Sequence, residues 1–341
     1  NYFPKIRLYT CKQLISVFCL SLFTMTFSFS GLTLADEVLS TDELIAQNTS
    51  LSSQAALKFK HLLSADGLSE NNVFSIAQDH EGFIWIATQD GLNRYDGKKF
   101  IPYKKKLTDP NSIAHNFIRK VFVDKSGQLW VGTLKGLSKY NVQLDNFENY
   151  YHKEGDNKTL KDDVIWDIYQ NKDLADSSLW ISTTDGLHTL SVKYDVNNIK
   201  FKRIKIRNYD DRIREIKTIF QDKQKNYWLG TFDKGIHLLS KSLNYIGSLK
   251  KQNKFHLSID ANALFDMEII DNQYWLATDN GLYIVDDRYQ LKSHLTDEPN
   301  QNINSQVLLS NNIRAIAQFD ENHVWLATKK GLNTINLLPL V

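Results

Sequence analysis

Residues 71–95, NNVFSIAQDHEGFIWIATQDGLNRY, decide the fold. The apolar run Val73-Phe74-Ser75-Ile76-Ala77 is followed by a polar turn, Asp79-His80-Glu81-Gly82, and a second run, Phe83-Ile84-Trp85-Ile86-Ala87-Thr88. Gly91 then opens Leu92-Asn93-Arg94-Tyr95, and beyond the turn Asp96-Gly97-Lys98 comes Phe100-Ile101-Pro102-Tyr103. Short β-prone runs separated by Asp, Gly, Asn and Lys turns predict four antiparallel strands. The absence of a sustained helical period argues against an α-solenoid.

The same frame recurs along the chain. A tryptophan followed by an aliphatic residue, a small residue, a threonine and a nearby Gly-Leu or Gly-Ile stands at Trp85 (WIATQDGL), Trp130 (WVGTLKGL), Trp180 (WISTTDGL), Trp228 (WLGTFDKGI), Trp275 (WLATDNGL) and Trp325 (WLATKKGL). Spacings of 45, 50, 48, 47 and 50 residues with strand-like content point to propeller blades. The expected fold is all-β: a β-propeller of four-stranded blades over residues 57–341, with six repeats present. The tryptophans should fill the gaps between neighbouring sheets, each burying about 150–250 Å². Small residues behind them (Ala87, Gly132, Ser182, Gly230, Ala277, Ala327) should let sheets approach closely. Gly91, Gly136, Gly186, Gly235, Gly281 and Gly331 suit turns that need positive φ or close backbone approach.

The N-terminal stretch reads as a targeting segment. Lys5, Arg7 and Lys12 precede a mostly apolar run over 14–34, and Thr33-Leu34-Ala35 supplies small residues before Asp36-Glu37. Residues 1–35 are therefore expected to be a signal peptide cut after Ala35, the alternative being an uncleaved anchor. Residues 36–56, polar and rich in Ser, Thr, Gln and Ala, form an expected flexible leader. Both cysteines, Cys11 and Cys19, fall in the signal, so the mature chain is expected to lack disulfides and Cys-based sites. A net charge of +2, with basic residues spread over every repeat, gives no nucleic-acid footprint.

The frame Asn-x-Val-x-x-Ile-x-x-Asp-x-x-Gly-x-Ile-Trp-Ile-x-Thr-x-x-Gly-Leu-x-x-Tyr, clearest at residues 71–95, resembles the two-component regulator propeller family. The lead-in Phe59-Lys60-His61-Leu62 with Asp66-Gly67-Leu68-Ser69 is similar to the start of the first such repeat. The resemblance covers about residues 57–336. It departs in the Asp-x-x-Gly turn, which is lengthened over 171–178, lacks its Gly near Lys225 and is short at Asp271-Asn272 and 320–322. These changes are expected to affect turns and not the core. The resemblance implies the exported, periplasmic sensor region of a membrane-anchored, dimeric receptor. Its output would be a histidine kinase, often hybrid, or a diguanylate cyclase beyond residue 341, the region present being non-catalytic. The chain opens at Asn1 and ends at Leu337-Leu338-Pro339-Leu340-Val341, where a sixth repeat should make its outer strand. A strand over 59–63 could complete that blade and close six. The family more often closes with seven, so a seven-bladed ring or a longer array is expected.

Propellers bind at a mouth of the central channel. Aligning the inner-strand pattern puts Phe74, Arg119, Trp166, Lys217, Phe265 and Arg314 in one variable column of alternating aromatic and cationic residues. The columns Val73/Ile118/Ile165/Ile216/Leu264/Ile313 and Ile76/Val121/Ile168/Ile219/Met267/Ile316 are apolar and assigned to packing. Asn71, Asn116, Asp163, Arg214, Asn262 and Asn311 start the inner strands. Amides with interleaved cations and rings suit a small carbohydrate or carboxylated ligand. The plainer reading is that the rings fill core gaps, Arg119 and Arg314 pair with acids, and the Asn residues cap loops.

No other chemistry stands out. The nine histidines make no metal-binding spacing, and no cofactor is implied. Asp162-Asp163 and Asp210-Asp211 fall in loops, and there is no Gly-x-Ser-x-Gly, phosphate loop or EF-hand pattern. A secreted propeller enzyme such as a lyase is the alternative class, and a protein-binding scaffold is a third. The leader is directly testable: intact-mass measurement of the exported protein should give an N-terminus at Asp36, whereas a retained Asn1 segment would identify an anchor.

Overall fold

The computed structural model describes residues 58–156, 158–171, 178–191, 200–208, 215–231, 235–248, 259–298 and 308–337. The expected signal and leader, both cysteines and Arg214 lie outside the described residues.

Six four-stranded antiparallel sheets form a ring around a central channel. Blade 1 runs outward through Val73–Gln78, Ile84–Thr88, Gly91–Tyr95 and Phe100–Tyr103. The innermost strands of blades 2 to 6 are Ile118–Val123, Ile165–Gln170, Ile216–Gln221, Leu264–Ile270 and Ile313–Gln318. Each touches the innermost strand of the next blade, and that of blade 6 touches that of blade 1.

Lys58–Leu62 supplies the outermost strand of blade 6, pairing antiparallel with Gly331–Asn336 from Lys58↔Asn336 to Leu62↔Leu332. The ring therefore closes with six blades, which corrects the expectation of a seventh. The physical reason is that the early strand covers the open edge of the last blade, so its backbone groups find partners within the ring. Core residues at this seam come from both ends: Leu62, Leu68, Val73, Ile76 and Ile84 pack with Ala315, Ala317, Ala327 and Leu332.

The repeat tryptophans join neighbouring blades. Trp85 packs with Ile118, Val121, Leu129 and Val131 of blade 2, and Trp130 with Ile165, Ile168, Leu179 and Ile181 of blade 3. Trp85, Trp130, Trp180, Trp228 and Trp275 are buried, while Trp325 at the closing seam is partly exposed. The small residue behind each tryptophan is required by the approach of the next sheet. A methyl group added at Gly132 would lie 2.6 Å from Ile165 Cγ2, and one added at Gly230 would lie 2.4 Å from the Leu264 carbonyl oxygen.

Two polar devices hold the repeat in shape. The threonine hydroxyl donates across the turn to the glycine carbonyl in all six blades, at 2.7–3.2 Å (Thr278 to Gly281 the shortest, Thr183 to Gly186 the longest). All six motif glycines have positive φ, from 78° at Gly235 to 133° at Gly331. In addition, the turn aspartate accepts the indole N–H: Asp79 Oδ2 from Trp85 at 2.6 Å, and Asp124 and Asp222 from Trp130 and Trp228 at 2.9 Å. Lys225 adopts a φ of 67°, taking the conformation that Gly82 and Gly127 hold in earlier copies. In blade 5 the two-residue turn Asp271-Asn272, with φ of 47° and 69°, is too short to present such an acceptor, and the buried Trp275 Nε1 has no partner. The turn departures thus reach into the core.

Trp130→Ala should cost about 3–5 kcal/mol, the range for a buried aromatic. Trp325→Ala should cost measurably less, and a urea midpoint for each variant would show the order.

Candidate functional site

The channel mouth is built by six β-bulges. In blade 1 the pairing steps from Val73↔Thr88 to Ser75↔Ala87, leaving Phe74 as the extra residue. The same step leaves Arg119, Trp166, Lys217, Phe265 and Arg314 unpaired in the other blades. A bulge re-aims one side chain and shifts the alternation that follows. This explains how apolar columns three residues apart, Val73 and Ile76 in blade 1, can share one sheet face and one core. It also releases the residue between them toward the channel.

The structure brings the whole column together. Arg119 lies with its guanidinium carbon 5.0 Å from the Phe74 ring centroid, 4.5 Å from that of Trp166 and 4.4 Å from that of Phe117. Arg314 lies 4.4 Å from Phe74 and 5.4 Å from Phe265. Lys217 Nζ sits over Trp166 and makes an ion pair with Glu215 at 3.2 Å. Cations and rings thus follow one another around the mouth in the order of the blades. Arg314 Nε donates to Asn312 Oδ1, while Arg119 Nε and Trp166 Nε1 are buried donors without partners. Burial, together with the neighbouring Arg314 charge, lowers the Arg119 pKa to about 10, and burial lowers that of Arg314 to about 10.

The residues that start the inner strands do a different job. Asn71 Oδ1 accepts from Ser64 N, Asn116 Oδ1 from Lys105 N and Asn311 Oδ1 from Asp297 N, each at 2.7 Å, and Asp163 Oδ1 accepts from His152 N at 2.5 Å. Asn262 pairs with Asp279 through its backbone N–H at 3.0 Å and its side-chain amide at 3.4 Å. The carbonyls of Asn116, Asp163 and Asn311 accept from the motif glycines Gly91, Gly136 and Gly281 of the preceding blade, each at 2.7 Å. This row anchors loops and joins blades.

A second layer escaped the sequence reading. Immediately after the bulge, Ser75, Asp167 and Asp266 each accept a backbone N–H of the next blade: Val121 at 3.2 Å, Ile219 at 2.7 Å and Ile316 at 3.0 Å. Lys120, from the same position of blade 2, makes an ion pair with Asp167 at 2.9 Å. Burial would depress the Lys120 ammonium, but Asp167 and Asp266 more than offset this and hold its pKa above the ordinary lysine range. Burial raises the Asp266 carboxyl, with Lys120 only partly opposing it. The available signal was the bulge itself: the apolar columns three apart imply one, and the residue after it must then face the next blade. Among the described residues, no cluster of three or more His, Asp or Glu side chains could hold a metal.

This is a six-bladed β-propeller with a bulge-lined, cationic and aromatic mouth. Its repeats have relatives. Residues 67–90 and 112–135 match the family model described as two component regulator propeller. A stretch of 56 residues is 43% identical to Histidine kinase P4 of Formosa agariphila, covering 16% of this chain and 4% of that protein. Among solved structures, the extracellular domain of a hybrid two component system from B. thetaiotaomicron has a TM-score of 0.64 at 23% identity, over 83% of this chain and 42% of that one. Virginiamycin B lyase from Staphylococcus aureus has a TM-score of 0.53 at 11% identity, over 83% of this chain and 100% of that one. Both structural likenesses are of fold. The chain spans less than half the length of the kinase and of the two component system domain it resembles. No helix of the described residues is long and apolar enough to cross a membrane.

Lys120→Met should destabilise the protein by about 3–5 kcal/mol, because it strands buried carboxylates without their counter-charge. An acid whose folded pKa exceeds its unfolded value binds more protons when folded, so stability falls as pH rises between the two. The Lys120→Met deficit should therefore shrink on acidification from neutral pH toward the ordinary Asp range, and adding Asp266→Asn should recover part of it at pH 7. Denaturant midpoints across pH would check both.

Proposed function

We propose that this chain is the ligand-sensing propeller of an exported receptor that signals across a membrane, and that it is not itself catalytic. The observation that carries the reading is the alternating ring of Phe74, Arg119, Trp166, Lys217, Phe265 and Arg314, placed at one mouth by a bulge in every innermost strand. Side chains released at the same point of six strands converge on one surface, with Phe74 serving also in the core between blades 1 and 2. The two component regulator propeller repeats and the similarity to part of a histidine kinase support a signalling role. On this reading the propeller lies on the periplasmic side of the membrane, and the receptor is anchored and dimeric. The output module, a histidine kinase or a diguanylate cyclase, belongs to a longer protein. The ligand is a small molecule of carbohydrate or carboxylate type.

A rigid ring favours transmission by rigid-body rearrangement between receptor subunits over deformation within a blade. The ligand shifts that equilibrium only through its different affinity for the two states.

The gene downstream of codon 341 should encode a membrane-spanning helix and a kinase or cyclase; a stop codon there would sink the receptor reading. In the full-length receptor, Trp166→Ala and Lys217→Ala should abolish ligand-dependent output while leaving export and abundance unchanged. Retained response in both variants would remove the mouth as the sensing site.

A further inference from the structure

We propose that the mouth is an anion clamp, in which the guanidinium groups of Arg119 and Arg314 grip an oxyanion group of the ligand from either side of Phe74. This deepens the sensing reading given above and rests on it.

Phe74 already has two guanidinium groups within 5.0 Å of its centroid, and Trp166 has Arg119 and Lys217 over it. Phe265 has Arg314 over one face, 5.4 Å from its centroid. A ring face covered by a cation is not open for a sugar to stack upon it. The aromatic residues therefore act as supports that hold cations in place through the ring quadrupole.

Among the described residues, no carboxylate lies within ion-pair distance of Arg119 or Arg314, whereas Lys217 has Glu215. Asp167 and Asp266 accept backbone N–H groups and compensate Lys120 in the layer beneath. Two half-buried guanidinium groups beside each other, both disfavoured in their charged form, face the mouth with no carboxylate partner among the described residues. Cations withdrawn from water are normally paired. A ligand carboxylate, sulfate or phosphate would supply that partner.

The Arg314 Nε is engaged by Asn312, which orients the guanidinium plane and leaves its terminal nitrogens for a two-point contact. A planar fork of this kind matches an oxyanion better than a point charge does. Since both groups flank Phe74, blades 1, 2 and 6 form the anion-binding side of the mouth.

The test is a thermal-shift and calorimetric titration of the purified chain with D-glucuronate, D-glucose and sodium sulfate at matched ionic strength. The proteins compared are wild type, the double variant Arg119→Gln/Arg314→Gln, and Trp166→Leu. Wild type should bind glucuronate and sulfate but not glucose, and the double variant should lose affinity for both anions by roughly tenfold or more, about 1.4 kcal/mol per factor of ten. Sulfate binding without glucuronate would retain the clamp and assign it to sulfate-type groups, and the reverse would assign it to carboxylates. Equal binding of glucose and glucuronate that survives in the double variant but is lost in Trp166→Leu would overturn the clamp and keep the mouth as a site. No response to either anion would overturn the clamp. Binding unaffected by both the double variant and Trp166→Leu would overturn the mouth reading as well. The double variant should remain folded, since it removes two half-buried charges that have no carboxylate partner among the described residues; an unchanged circular dichroism spectrum would verify this.

Discussion

Much of this structure depends on one repeated distortion, the β-bulge at the second residue of each innermost strand. A regular strand would place Val73 and Ile76 on opposite faces. Both are needed on the face that packs against blade 6, and the extra residue at Phe74 makes that possible. The cost is a broken ladder next to the channel. The resulting need for partners is met by Ser75, Asp167 and Asp266, which accept backbone N–H groups from the next blade. The same distortion thus packs the blades, links them through hydrogen bonds and points six side chains at the channel mouth.

Around that constraint, most polar groups serve the ring itself. The threonine and glycine turns, the aspartates under Trp85, Trp130 and Trp228 and the Asn row at the strand starts are all spent on backbone or indole groups within the ring. Lys120 is spent on the carboxylates below the mouth. Arg119 and Arg314 are the exceptions, charged and half-buried but without a carboxylate partner among the described residues.

Much of the architecture was legible in the primary structure because repetition averages out the ambiguity of any one segment. The tryptophan, threonine and glycine positions, the four strands per repeat and the apolar columns recur six times, and each has a local physical reason. The variable column was legible for the same reason, standing out against its invariant flanks. Less legible were features set by pairing between distant segments. The closure by Lys58–Leu62 competed with a seventh blade, since a β-prone strand does not specify its partner. The loss of an acceptor for Trp275 follows from a turn only two residues long. The roles of Lys120, Asp167 and Asp266 depend on which residue of a strand is the bulged one.

The sequence alone therefore determined the repeat, its strands, the inter-blade tryptophans and the set of residues that lines the channel, because these follow from periodicity and side-chain size. Only the tertiary structure decided the number of blades, the bulge that aims the column, the pairing of cations with rings, and the difference between Asn residues that anchor loops and arginines left without an acid. Those outcomes depend on contacts between residues some fifty positions apart or at opposite ends of the ring, and on how burial and neighbouring charge divide a limited set of partners among them.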